Sequence, residues 1–321
     1  DSTTIFIYLE KNRSSNFDGF LGFGSDEESG QIQFDGYMNL NLINNLNQGE
    51  SFNLNYKSDE IDQKTLNVNL TIPYLFRSPI GTSIKLNIFK KDSTFTNAQQ
   101  SAELFYQFDP NQKIGIEYSV ERSNEVNDTN TNVEDFKSNF YKLNYNFLKL
   151  RKQDFLYQLN SSLDISLGFG KRSSLIETKQ RQIKIKGNWL FELNKKNAFF
   201  INLHMEDLKS DGYLYNELIR FGGITSIRGF EENSLFAKRM AVLCSEFRYR
   251  FSNNLFIHSV IDSGYFEDFS RVDQQIFGFG FGFGLQTNGG LMRLTYANGK
   301  IKNNPFNISN SKLHVSFTSN F

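Results

Sequence analysis

Apolar and polar residues alternate along most of this sequence with a period of two. The clearest example is 155–169, where one parity carries seven apolar side chains: Phe155, Tyr157, Leu159, Leu163, Ile165, Leu167 and Phe169. Successive side chains of a β-strand point to opposite faces, so this period predicts strands with one apolar and one polar face. Helical periodicity is nearly absent, and we therefore expect an all-β protein.

The alternation predicts 16 strands, which are 17–25, 30–44, 49–58, 63–75, 80–91, 97–109, 112–124, 136–150, 154–170, 178–194, 197–208, 237–251, 254–266, 273–286, 289–299 and 311–321. Every second connection is a short turn, such as 109–111 or 195–196. The others tend to be longer and more polar, above all 209–236. Short turns on one rim and long loops on the other are typical of outer-membrane barrels. We therefore expect a transmembrane 16-stranded antiparallel β-barrel.

Composition favours this barrel over a soluble β-sandwich, whose strands would also alternate. The mean hydropathy is only −0.46, yet the chain of 321 residues has 34 Phe and 14 Tyr. A barrel combines a polar lumen with an aromatic lipid face, and several predicted strands exceed the usual globular length. No apolar run is long enough for a transmembrane helix. We expect a location in the bacterial outer membrane, and because no signal peptide is visible, a mature or trimmed form.

The first residues do not follow the barrel pattern. Residues 3–10, TTIFIYLE, read as a strand that ends at a polar break, and the barrel pattern begins near Phe17. We expect residues 1–15 to be a linker or the end of a periplasmic domain, and residues 16–321 to form the barrel.

Charge and chemistry point away from nucleic acids and from catalysis. The 35 basic and 35 acidic side chains balance, so bulk charge does not favour a nucleic-acid partner. His204, His258 and His314 lie on separate predicted strands without a nucleophile motif or metal-ligand spacing. Cys244 is the single cysteine and is expected to be a buried small side chain. The sequence predicts no enzyme activity, metal or cofactor.

An arginine on a glycine-rich loop is the most informative local motif. Residues 220–231 read RFGGITSIRGFE. Here the chain resembles the outer-membrane protein-assembly and two-partner-secretion transporters, the superfamily of BamA, TamA and FhaC. Their VRGF motif corresponds to Ile227, Arg228, Gly229 and Phe230, on the loop after the eleventh strand. Their FxDxG motif resembles residues 260–264, with Val260 in place of the usual aromatic and with Asp262 and Gly264 in register.

The resemblance implies that the loop at about 209–236 folds back into the lumen and that Arg228 pairs with Asp262. Strand parity supports the pairing independently. Leu255, Ile257 and Ile261 form an apolar face, so Asp262 should point inward, and the same argument on the preceding strand makes Glu246 the next candidate. A guanidinium in a partly desolvated lumen needs a carboxylate partner. The alternative is a solvated loop arginine.

Glycines alternate with phenylalanines in residues 277–284, FGFGFGFG. Without a strand-to-helix junction they do not form a phosphate-binding loop. We expect the glycines to face the lumen and leave space where the inserted loop packs. Simple flexibility is the alternative.

The resemblance also implies a seam between the first and last strands that opens to receive a client strand. Its expected residues are Phe17, Gly19, Gly22, Gly24, Val315, Phe317 and the terminal Phe321. Three glycines offer few side chains to hold the closure, so we expect weak pairing there. An ordinary, evenly closed seam is the alternative.

Three functions remain open from the sequence. The first is a barrel that inserts or translocates proteins, with the lipid bilayer, client proteins and possible accessory periplasmic or lipoprotein subunits as partners. The second is a passive channel or structural barrel, and the third is an outer-membrane enzyme, for which the sequence offers no site. An inserted loop favours the first over the second, because it would occupy the pore of a passive channel.

Overall fold

The structure of the chain is a computed structural model. It describes residues 15–25, 32–58, 63–91, 94–126, 133–151, 154, 156–270, 272–287, 289–302, 304–305 and 307–318. The strand expected at 3–10 and the terminal Phe321 lie outside these residues. Within them, the chain is mostly β-strand, as the alternation predicts. The described part contains no helix with the length and apolarity that crossing a membrane requires.

The described residues form 18 strands, and three short 3₁₀ turns at Leu75–Arg77, Tyr215–Glu217 and Ile308–Asn310. The strands are β1 Asn16–Ser25, β2 Ile32–Ile43, β3 Ser51–Ser58, β4 Gln63–Ile72, β5 Ile80–Lys91, β6 Phe95–Asp109, β7 Gln112–Glu125, β8 Phe136–Leu150, β9 Leu159–Ser173, β10 Glu177–Glu192, β11 Asn197–Ser210, β12 Ile219–Phe221, β13 Leu235–Ala237, β14 Arg239–Arg250, β15 Leu255–Glu267, β16 Asp273–Thr287, β17 Gly290–Ile301 and β18 Lys312–Thr318.

Among the described residues, 16 of these strands form one sheet in chain order, β1 to β11 followed by β14 to β18. Every pairing in it is antiparallel, and β11 pairs with β14 across the intervening segment. In the part of the chain that is described, β1 pairs only with β2 and β18 only with β17, so these strands are the two ends of the sheet.

The two faces of the sheet differ in polarity along the strands that matter most here. On β15, Ile257 and Ile261 are 49% and 65% exposed, whereas His258 and Asp262, each one residue further along, are buried. On β14, Leu243 and Phe247 are exposed while Glu246 is buried. This is the parity predicted for both strands. We name the face that carries Asp262 and Glu246 the inner face.

Residues 211–238, which we name the inserted loop, lie against the inner face. The loop contacts Asn97 of β6 through Asn216 and Asp262 of β15 through Arg228. Strands so far apart in the sheet can touch one loop only if the sheet curves around it.

The inserted loop contains two short antiparallel strands, β12 and β13, whereas no strand was predicted within 209–236. They form because their apolar side chains find a core. Ile219, Phe221 and Ala237 are buried in a cluster with Met240 and other residues of the inner face. Burial of this apolar surface compensates for ordering the loop backbone.

The ninth strand begins at Leu159 rather than at the predicted residue 154. The Asp154 carboxylate accepts hydrogen bonds from the backbone N–H groups of Leu156 and Tyr157, both at 3.1 Å, and pairs with Arg250 at 2.5 Å. These bonds bend the chain inward. Tyr157 is therefore buried against Phe256, with ring centroids 5.3 Å apart, instead of joining the outer apolar face as predicted.

Candidate functional site

The tip of the inserted loop is the tetrapeptide Ile227, Arg228, Gly229 and Phe230. Ile227 is fully buried in the apolar cluster that contains Met240 and Val242 of β14 and Ile276 of β16. Gly229 has φ +88°, which an L side chain rarely adopts. Gly229 lies against the backbone of β17 at Asn298 and Gly299, so a Cβ would collide there. The tip is thus held by the buried side chain of Ile227 and by the close approach of the Gly229 backbone to β17.

Arg228 is bound by the carboxylate of Asp262 at the middle of β15. Its Nε donates to Oδ2 at 2.9 Å and its Nη2 to Oδ1 at 2.5 Å. The backbone N–H of Arg228 also donates to Oδ2, at 3.1 Å. A two-pronged guanidinium–carboxylate pair fixes direction as well as charge. Both side chains are almost fully buried.

Glu246 on β14 is the second carboxylate of the site and is shared by three arginines. It accepts from Nη1 of Arg228, from Nε of Arg248 at 2.7 Å and from Nη2 of Arg293 at 2.7 Å. Three guanidinium groups against two carboxylates leave the cluster with a formal charge of +1. Arg228 is the member that joins the two carboxylates.

Burial alone would lower the pKa of Arg228, but the hydrogen bonds from its guanidinium to Asp262 and the negative charges of Glu246 and Asp262 outweigh it and raise that pKa. The guanidinium is therefore charged at every pH at which the protein would work. Because arginines already occupy both carboxylates, the arrangement is suited to hold the loop tip in place. We name the contacts of Arg228 with Asp262 and Glu246 the lock.

Gly264, the second residue carried over from the aspartate motif, lies beside the apolar cluster that holds Ile227 of the tip. A Cβ there would lie 3.0 Å from side-chain atoms of Val242 and Ile276. The missing side chain therefore allows close packing at this position. On β16, a Cβ at Gly278 would collide with the carbonyl oxygen of Arg228. The space left by this glycine is therefore filled by the loop tip.

A second set of contacts holds the beginning of the inserted loop on the inner face near strands β5 to β9. Asn216 is fully buried and donates to Ser123 Oγ at 2.6 Å and to the carbonyl of Glu134 at 2.8 Å. Glu217 pairs with Arg172 of β9. Arg220 stacks on the ring of Phe89, with its guanidinium carbon 3.9 Å from the centroid. The loop thus bridges two parts of the inner face.

The residues expected at the seam lie on the two end strands. Phe17 of β1 and Val315 and Phe317 of β18 are exposed on the outer face, at 66%, 62% and 41%. Gly19, Gly22 and Gly24 pair with β2 opposite Met38, Asp35 and Gln33. Phe321 lies outside the described residues.

Known proteins resemble this chain in structure. No protein-family model and no curated protein matches the sequence. BamA from Haemophilus ducreyi lacking POTRA domains 1–3 is similar with a TM-score of 0.62 and 14% identity, over 92% of this chain and 73% of that one. This similarity supports the all-β antiparallel architecture predicted from the sequence.

CdiB from Acinetobacter baumannii is similar with a TM-score of 0.55 and 14% identity, over 92% of this chain and 63% of that one. CdiB from Escherichia coli has a TM-score of 0.56 and 9% identity, with 92% and 66% covered. This chain has the fold of the BamA and CdiB barrels. It spans about two thirds of the length of these structures, and the resemblance expected from the sequence is confirmed at the level of the fold.

Within this BamA-like and CdiB-like fold, several contact residues were not predicted from the sequence, among them Arg293, His314, Asn216 and Arg220. Arg293 shares its parity with the buried Thr295, so strand alternation could have placed it on the inner face. Strand parity could also have placed His314 on the inner face. Its partner is the backbone N–H of Gly229, and parity does not indicate such a partner. Asn216 and Arg220 carry no pattern, since their positions depend on how the loop folds.

Proposed function

We propose that this chain is a closed outer-membrane barrel that inserts proteins into the bacterial outer membrane or translocates them across it. The observation that carries the proposal is the buried lock of Arg228 on Asp262 and Glu246, on a loop that lies inside a curved sheet. The likeness to the BamA and CdiB barrels supports the same reading. Both the family resemblance of the loop motif and the fold point to protein clients rather than to small solutes.

Membrane insertion is supported by the outer face. Large apolar side chains on widely separated strands are more than 60% exposed there, among them Ile116, Tyr141, Phe169, Ile261 and Phe281. A sheet with this much apolar surface outside and paired charges inside is stable in lipid if it closes, because lipid cannot satisfy open strand edges. Closure would bring β1 and β18 together.

A passive channel is the competing function, and the inserted loop argues against it. The loop is fixed at two parts of the inner face and would obstruct the pore of such a channel. Catalysis is also disfavoured, because Glu246 and Asp262 are held by arginines rather than poised near a cleft. We therefore propose a barrel that acts by guiding a client strand, with the lock of Arg228 setting the resting position of the loop.

Reconstitution of the full chain in phospholipid vesicles would test the function. An unfolded small outer-membrane barrel protein is added, and its folding is followed by the shift between heated and unheated samples on a gel. We expect faster folding than in empty vesicles, and slower folding again with Arg228→Ala. Ion conductance without any acceleration would favour the passive channel and overturn the proposal.

A further inference from the structure

The last strand of the sheet is held from the inside by the loop tip. The backbone N–H of Gly229 donates to Nε2 of His314 on β18 at 3.0 Å. Glu231, two residues after Gly229, accepts a hydrogen bond from Nζ of Lys312, two residues before His314, at 2.7 Å. The two contacts join the loop tip and the residue after it to one face of β18. Contacts of the tip therefore extend from β14 to the end of the sheet.

The strand β18 has fewer backbone partners than the strands inside the sheet. Its described residues are Lys312–Thr318. Within the described residues its only strand partner is β17, so a ladder of backbone hydrogen bonds holds it along one side only. The hydrogen bond to His314 is roughly comparable to one more rung of that ladder, placed at mid-strand opposite Thr295.

The donor to His314 is fixed by the lock itself. Gly229 follows Arg228 directly, and the side chain and backbone N–H of Arg228 both bind Asp262. Gly229 also lies against Gly299, where a Cβ would come within 2.5 Å of the Gly229 carbonyl oxygen. The Gly229 N–H can therefore leave His314 only if the tip moves away from β15 and β17 together.

We infer that the loop tip is a tether for the last strand, in which His314 is a positioning residue that couples docking of Arg228 to the position of β18. The inference rests on the proposed function and deepens it. Displacement of the tip, for example by a client segment in the lumen, removes the tether and frees β18 at the seam. Docking of the tip restores the resting position of the strand.

Spin labels on the two end strands test the tether without relying on activity. Cysteines replace the exposed Phe17 and Phe317 in a Cys244→Ser background of the full chain, and the label-to-label distances are measured in vesicles. We expect one narrow, short distance in the parent and a second, longer one in His314→Ala. Loss of a single hydrogen bond should raise the open population roughly two- to tenfold.

Two variants separate the tether from a general effect of mutation. His314→Gln keeps a side-chain acceptor and should restore the narrow distance, at least in part. Ser316→Ala changes the next inner-face residue of β18, which makes no hydrogen bond to the loop among the described residues, and should resemble the parent. Lys312→Ala should have a smaller effect than His314→Ala, because the Lys312 pair with Glu231 is half exposed.

Three results would overturn the inference. One is a His314→Ala distribution equal to that of the parent, another is a Ser316→Ala distribution as broad as that of His314→Ala, and the third is a parent without the short distance. Failure of the proposed function looks different. In that case the parent does not accelerate folding of the added barrel protein, while the distances still respond to His314 as expected.

Discussion

Removal of the Arg228 side chain should release the loop tip while the sheet stays folded. In Arg228→Ala, Glu246 keeps Arg248 and Arg293. Asp262, only 2% exposed, loses both guanidinium hydrogen bonds and has no other cation at ion-pair distance among the described residues. The cost therefore arises mainly at Asp262.

The size of the effect follows from that uncompensated charge. Breaking a buried pair by removing one partner costs about 3–5 kcal/mol. Each 1.4 kcal/mol is a factor of ten in an equilibrium constant, so docking of the tip should weaken by roughly two to four powers of ten. In Arg228→Ala/Asp262→Asn, the second change removes the stranded charge. The double variant should lose less than the sum of the two single variants.

Limited proteolysis of the inserted loop measures docking, and retention of the heat-modifiable gel form reports on the sheet. Arg239→Ala is the matched control, since it breaks a more exposed pair with Asp207 and should cost about 0–1 kcal/mol. The reasoning is refuted if the loop of Arg228→Ala is cleaved no faster than that of the control. Strict additivity in the double variant would also contradict it.

Three further predictions concern other contacts of the inner face. Gly278→Ala should displace the loop tip and speed its proteolysis, whereas Gly212→Ala, where a Cβ meets nothing within 4 Å, should not. Asn216→Ala should expose the beginning of the loop to protease at a cost of about 1–3 kcal/mol, because buried partners lose hydrogen bonds, while a label at the tip should stay in place. Tyr157→Ala should lower stability against denaturant by about 3–5 kcal/mol. Tyr157→Phe should be nearly neutral, because the Tyr157 hydroxyl has no hydrogen-bond partner among the described residues and the contact with Phe256 is kept.

Much of this architecture could be predicted because strand alternation has a period of two. That period alone places Asp262 and Glu246 on the inner face, and it could have placed Arg293 there. The approach of Arg228 to Asp262 joins positions 34 residues apart, and it was expected from the motif resemblance together with parity. The early bend before β9 was not predictable from alternation, because it depends on Asp154 binding backbone groups and Arg250.

The contacts at the beginning of the loop were also beyond sequence reasoning. Asn216 binds a backbone carbonyl at Glu134, and backbone groups leave no signature in a sequence. Arg220 lies on an aromatic ring of β5, but the chain has many aromatic residues that could have served. The fold of the loop decides which aromatic ring Arg220 contacts, and that fold depends on the packing of β12 and β13.

A reversible crosslink between the end strands tests the central claim most directly, namely that the barrel handles its client at the β1–β18 seam. Cysteines at positions 17 and 317, in the Cys244→Ser background, are oxidised in vesicles, and folding of the added barrel protein is then measured. The account predicts a crosslink in high yield, loss of the acceleration on oxidation and its return on reduction. Full acceleration by the crosslinked barrel, or no crosslink at all, would contradict it.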